Sequence, residues 1–190
     1  MLSDKRLLEL FNRFEVLEPG RRLIQQVREG QPVRRVHGGG GNTTIRFPSR
    51  KMGRVIQAES RTVELPFLVH SEYDPAVFEI WDQATYLRRS FETLDGKQRS
   101  GSHIPDFLVI ADYGIQFVEC KPTAKLEGYA AKYRDLYVHD ELGGWCSPAG
   151  VRAAREFGLG YWVWTPDLVS TAFIRNVDFL GDYLHAKGDE

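Results

Sequence analysis

The chain of 190 residues reads as an α/β protein, a mixed β-sheet flanked by helices with a basic, helical N-terminal extension. Three observations predict this. The element order in the body of the chain is helix, strand, hairpin, helix, strand. Ile104 to Ala111 is an apolar, β-branched run, and Ile115 to Lys121 alternates after the turn residues Asp112-Tyr113-Gly114. Ser147-Pro148 opens a helix with cap and first-turn chemistry, and Gly158 closes it.

From the start, Ser3 caps a first helix whose apolar face carries Leu7, Leu8, Leu10, Phe11 and Phe14. After Pro19-Gly20 a second, basic helix is expected from Arg21 to about Glu29. Arg34, Arg35 and His37 lead into Gly38 to Gly41, read as a loop because no P-loop Lys-Ser/Thr follows. Arg46, Arg50, Lys51 and Arg54 continue the basic character and are the candidates for contacts to a nucleic-acid backbone. A helix is expected over Thr62 to Tyr73, its regular part starting late because of Pro66. Val77 to Gln83 reads as a strand. Tyr86 to Thr93 and Lys97 to His103 flank the hairpin signal Asp95-Gly96. Leu126 to Leu142 is expected to be helical up to Gly143-Gly144, Tyr161 to Trp164 a buried strand, and Thr171 to Leu184 a last helix. The chain divides into an extension, 1–56, and a core, 57–190.

Length fits one domain with a proper core, and the net charge is −1. No apolar run spans a membrane and no signal-peptide pattern opens the chain. Cys120 and Cys146 form no metal-ligand spacing, so a reducing, cytoplasmic setting is expected. Residues 1–56 hold 12 Lys and Arg against 5 Asp and Glu, whereas residues 57–190 hold 13 against 21. A basic front end on an acidic body suits a phosphate-backbone binder, though a solvated basic helix and loop has the same composition.

The chemistry concentrates on Pro105-Asp106 and Glu119-Cys120-Lys121. With a two-residue turn, Asp106 lies opposite Glu119 or Lys121, on the face of both; a three-residue loop without a bulge would pair it with Cys120. Two carboxylates converging at a hairpin end are costly unless a hard divalent cation neutralises them. Such an ion polarises a phosphoryl oxygen and lowers the pKa of water. A lysine two residues beyond the second acid returns to the same face and can orient water or stabilise transition-state charge. The bland alternative is a surface ion-pair cluster worth little. A second Pro-Asp, Pro166-Asp167, has no acid-x-lysine strand after it. Glu64 is placed to reach the hairpin acids, although a first-turn glutamate is also favoured by the helix dipole, and Glu59 and Glu72 compete for the role.

Several ordered segments together resemble the TnsA family, the endonuclease subunits of heteromeric cut-and-paste transposases. They are Ser49-Arg50-Lys51-Met52-Gly53-Arg54-Val55, then Ser60, Glu64 and Phe67-Leu68, then Glu72-Tyr73-Asp74-Pro75-Ala76-Val77 with Gln83. His103-Ile104-Pro105-Asp106-Phe107-Leu108-Val109 and Glu119-Cys120-Lys121-Pro122 complete the set. The resemblance spans about residues 20–184, thins between Ala124 and Cys146, and departs at Ala84, where many relatives have proline.

It implies a restriction-endonuclease-like fold of the PD-(D/E)xK type for the mixed sheet. By position the helix glutamate falls on Glu64, the strand aspartate on Asp106, the second acid on Glu119 and the lysine on Lys121. Asp106, Glu119 and the Cys120 carbonyl would then hold Mg²⁺, for which Mn²⁺ would substitute, with Glu64 supporting that ion or a second one. The implied activity is hydrolysis of double-stranded DNA at the 5′ ends of a transposon, beside a DDE-type transposase that handles the 3′ ends. Better-known members bind an ATPase regulator through a C-terminal winged-helix domain. The chain is expected to stop short of that module, which would remove this docking route. A stand-alone nuclease of restriction, repair or phage defence is the alternative with the same chemistry. A non-catalytic DNA-binding assembly subunit is the alternative from another class.

Overall fold

The computed structural model describes residues 1–30 and 45–170, together with 172 and 176. The four-glycine loop, with Arg34, Arg35 and His37 before it, lies outside the described residues, as does the last expected helix apart from those two positions.

The chain begins with α1 (Asp4–Arg13) and α2 (Glu18–Glu29), followed by a hairpin of β1 (Ile45–Ser49) and β2 (Arg54–Ala58). Ser3 caps α1 by accepting from Arg6 N. The second helix starts earlier than Arg21 because Pro19 fits its first turn. Gly20 then lets α2 approach the chain after the later helix: a Cβ there would lie 2.1 Å from the Phe157 carbonyl oxygen.

Next come α3 (Glu64–Tyr73), β3 (Val77–Asp82), the hairpin β4 (Leu87–Glu92) and β5 (Gln98–His103), then β6 (Phe107–Ala111) and β7 (Gly114–Cys120). The rest comprises α4 (Thr123–Ala130), the short pair β8 (Val138–His139) and β9 (Trp145–Cys146), α5 (Pro148–Arg155) and β10 (Gly160–Trp164). The central sheet has the order β10-β7-β6-β3. It is mixed, since β10 runs parallel to β7 while the other pairs are antiparallel.

Both faces of this sheet are covered, which is why β6 reads as a continuous apolar run. On one face Phe67 of α3 stacks on Phe107 at 5.1 Å and meets Trp162 and Trp164 edge-on. On the other, Phe117 packs against Phe157. Gly150 of α5 lies against the Tyr161 ring, where a Cβ would come within 2.5 Å.

The boundary expected at residue 56 falls inside β2. Leu7, Leu10, Phe11, Leu23 and Ile24 join the same apolar cluster as the sheet. Arg28 of α2 pairs with Glu79, a fully buried acid on β3, at 3.2 Å, and Glu79 also accepts from Leu2 N.

The helix expected over Leu126 to Leu142 begins earlier and ends at Ala130. Beyond it Asp135 is engaged by a distant strand and Asp140 by local backbone, and the helix does not continue. Asp135 accepts from Glu92 N at 2.7 Å, and Asp140 accepts from Leu142 N and Gly144 N to close the β8–β9 turn. No helix among the described residues is long and apolar enough to cross a membrane.

Candidate active site

The β6–β7 turn is two residues long, pairing Ala111 with Gly114 and Phe107 with Val118. Continued by one step, that register sets Asp106 opposite Glu119. Asp106 is fixed from both sides. Its carbonyl accepts from Gln83 N at 3.0 Å, and its Oδ2 accepts from Cys120 N at 2.7 Å. Gln83 makes its bond from a left-handed backbone, φ 44°, rare for a residue with a side chain.

Glu64 is the first residue of α3. Ser60 turns the chain into that helix, its hydroxyl accepting from Val63 N and its carbonyl from Leu65 N. The Glu64 carboxylate folds back to accept from Glu59 N at 2.7 Å. Glu64, Asp106, Cys120 and Lys121 line one cavity of about 510 Å³, with Arg61 and Lys125 also on its wall.

The electrostatics divide the acids. Burial raises Glu64 to about 7; the Glu59 backbone bond opposes this, and the charges of Glu59 and Glu119 add to it. Asp106 is pushed well above the usual carboxylate range by burial, then by the charges of Glu119 and Glu64. Glu119 goes the other way. Burial would raise it, but the His103 hydrogen bond and the charges of His103, Lys121 and Arg89 hold it down at about 2. Its Oε1 meets the Lys121 ammonium and the Tyr137 hydroxyl, and its Oε2 meets His103 Nε2 and the Tyr161 hydroxyl. Lys121 is lowered by burial yet raised on balance, chiefly by Glu119.

Of the expected set, Glu64, Asp106 and Lys121 thus share a cavity, with Glu119 behind Lys121, fully buried and engaged at both oxygens. The competing acids have other places. Glu72 accepts from the Ser49 hydroxyl and from Arg50 N and Lys51 N, tying the β1–β2 turn to α3. Glu59 lines the same cavity as Glu64.

Lys51 is a correction to the expected backbone contacts. Its ammonium donates to the carbonyls of Ser71, Asp74 and Val77, so it caps α3 rather than facing a phosphate. Arg54 lies over the Trp81 ring at 4.9 Å, whereas Arg46 and Arg50 are exposed. The second Pro-Asp is structural: Asp167 accepts from the Thr123 hydroxyl at the start of α4. His103, Tyr137, Tyr161, Arg61 and Lys125 were not read from the sequence. Tyr161 alone carried a signal, since strand alternation puts it on the Glu119 face through the Tyr161–Phe117 pairing.

Among the described residues no three His, Cys, Asp or Glu side chains stand as a ready-made ion cage. The donor set nevertheless fits a magnesium-like ion, which binds through one or two carboxylates and keeps several waters. Glu64 and Asp106 are oxygen donors whose pKa values are raised first by burial and then by the charges of neighbouring acids, with Lys121 opposing. Glu119 fits as a ligand only if a contact to Lys121 or His103 is exchanged.

No family model matches the chain, and no curated protein matches it.

Proposed function

We propose that the protein is a divalent-metal-dependent DNA endonuclease, acting as the 5′-end-cleaving subunit of a heteromeric transposase. The observation that carries this reading is the pair of desolvated carboxylates, Asp106 and Glu64, opening with Lys121 into one cavity. The ordered segments shared with the TnsA family support the transposition context and the partnership with a DDE-type transposase.

Asp106, Glu64 and the Cys120 carbonyl would hold Mg²⁺ or Mn²⁺, with Glu119 joining when its present contacts yield. When bound, the ion supplies Lewis acidity toward a phosphoryl oxygen and a lowered pKa for water. Lys121, a cation on the wall of the cavity, orients the attacking water and stabilises charge on the phosphate. Glu119, held by His103, Tyr137 and Tyr161, fixes that ammonium in place. Arg61 and Lys125 guide the backbone toward the acids.

The test is nicking of transposon-end duplex DNA in Mg²⁺, with and without the cognate transposase. Asp106→Ala and Lys121→Ala are each expected to lose at least about a hundredfold in rate, Asp106→Ala while keeping DNA affinity. Wild-type nicking by both variants would remove the assignment.

A further inference from the structure

A second cavity of about 330 Å³ is lined by residues of the β4–β5 hairpin. The first cavity and this one share Lys121 and Tyr129, but carboxylates line only the first. The second is lined by Arg89, His103, Lys121 and Tyr137, with Gly101 at the hairpin wall.

Arg89 is the unusual member. Its Nη1 donates to the Tyr137 hydroxyl at 3.0 Å and the Tyr161 hydroxyl at 3.4 Å. Its Nε is buried without a hydrogen-bond partner among the described residues. Glu119 is the acid whose charge reaches Arg89, and it is already paired with Lys121. Two permanent cations therefore share one carboxylate, and a guanidinium donor is left over. The cavity wall carries Arg89 and Lys121 and no carboxylate, an excess of positive charge that an anion would balance. The planar guanidinium fork matches a phosphate, and a lysine beside it adds a point charge.

We infer that this cavity is an anion subsite that takes a backbone phosphodiester of DNA next to the one entering the Asp106 cavity. The source of the phosphate rests on the nuclease reading; the site itself rests on Arg89 and its surroundings. A strand lying across both cavities puts one phosphate against the carboxylate side and its neighbour against Arg89, with Lys121 between them.

Gly101 provides a second handle. It pairs with Arg89 across the hairpin, and a Cβ added there meets no atom within 4 Å. Gly101→Asp therefore brings a carboxylate to the site without crowding it, and Gly101→Asn is the neutral control of the same shape.

The experiment measures anisotropy of a short fluorescein-labelled duplex on the full chain in EDTA, across a salt series, with calorimetric titration of inorganic phosphate alongside. Arg89→Gln and Gly101→Asp are each expected to weaken duplex binding about tenfold, and Arg89→Gln to lower the salt slope by about one. Gly101→Asn is expected to change binding less than about twofold, since it adds no charge. Duplex binding by Arg89→Gln and Gly101→Asp equal to wild type would overturn the inference, as would a response confined to inorganic phosphate. Because no cleavage is measured, a chain that binds this way yet never nicks DNA would remove the nuclease reading alone. A chain that nicks while both variants bind normally would remove the subsite alone.

Discussion

Glu64 and Glu119 are both buried glutamates at one site, and their environments pull them in opposite directions. For Glu64 the folded value, about 7, lies above the unfolded one. Its contribution is therefore fully favourable below about pH 4.5 and is lost as pH rises through about 7. In EDTA, Glu64→Gln should match wild type at low pH and exceed it above pH 7 by up to ~3 kcal/mol, read from urea unfolding at a series of pH values. Added Mg²⁺ should restore the wild type and leave the variant unchanged. Glu119 has the reverse sign: its stabilisation is present above pH 4.5 and lost as pH falls toward about 2. The facing of Asp106 and Glu119 was legible because a strand returns to one face every second residue. His103, Tyr137 and Tyr161 were not, because the same period is silent about which distant segments cover that face.

The β1–β2 turn and the end of α3 form a single bracket, closed by Glu72 from one side and Lys51 from the other. Glu72→Ala leaves a hydroxyl and two amides without their charged acceptor and should cost on the order of 3 kcal/mol by chemical denaturation. Lys51→Ala should lower stability yet leave the salt slope of DNA binding unchanged, whereas Arg50→Ala should reduce that slope without a loss of stability. A basic stretch in sequence does not separate these roles, since a lysine spent on carbonyl oxygens and an arginine in solvent have the same composition. The segment after α4 shows the converse difficulty. Its tyrosines and leucines spread at helix-like intervals, but Asp135 takes the Glu92 amide of β4 and Asp140 takes local amides, and the chain is redirected. Hairpin β4–β5 was readable because Asp95-Gly96 supplies a left-handed turn position, and Gly96 has φ 82°.

The N-terminal helices and the sheet share one apolar cluster, clamped by the pair of half-buried Arg28 and buried Glu79. Arg28→Ala leaves the buried Glu79 carboxylate with neutral donors only, Leu2 N and the Trp81 indole, and should cost about 3 kcal/mol, and Arg28→Ala with Glu79→Leu should recover much of that loss. The charge asymmetry suggested a separate extension, but charge reports the solvent-facing residues and not the leucines packed beneath them. The mixed sheet, by contrast, was legible from the order helix, strand, hairpin, helix, strand, which leaves the last strand to run parallel to β7. The proposed chemistry of the whole molecule depends on Glu64 and Asp106 forming a divalent-ion site beside Lys121. Calorimetric titration of the metal-free chain with Mn²⁺ is the test. Saturable binding by wild type, weakened at least about tenfold in both Asp106→Asn and Glu64→Gln, is the result expected. Absence of binding to wild type, or unchanged affinity in Asp106→Asn, would contradict it.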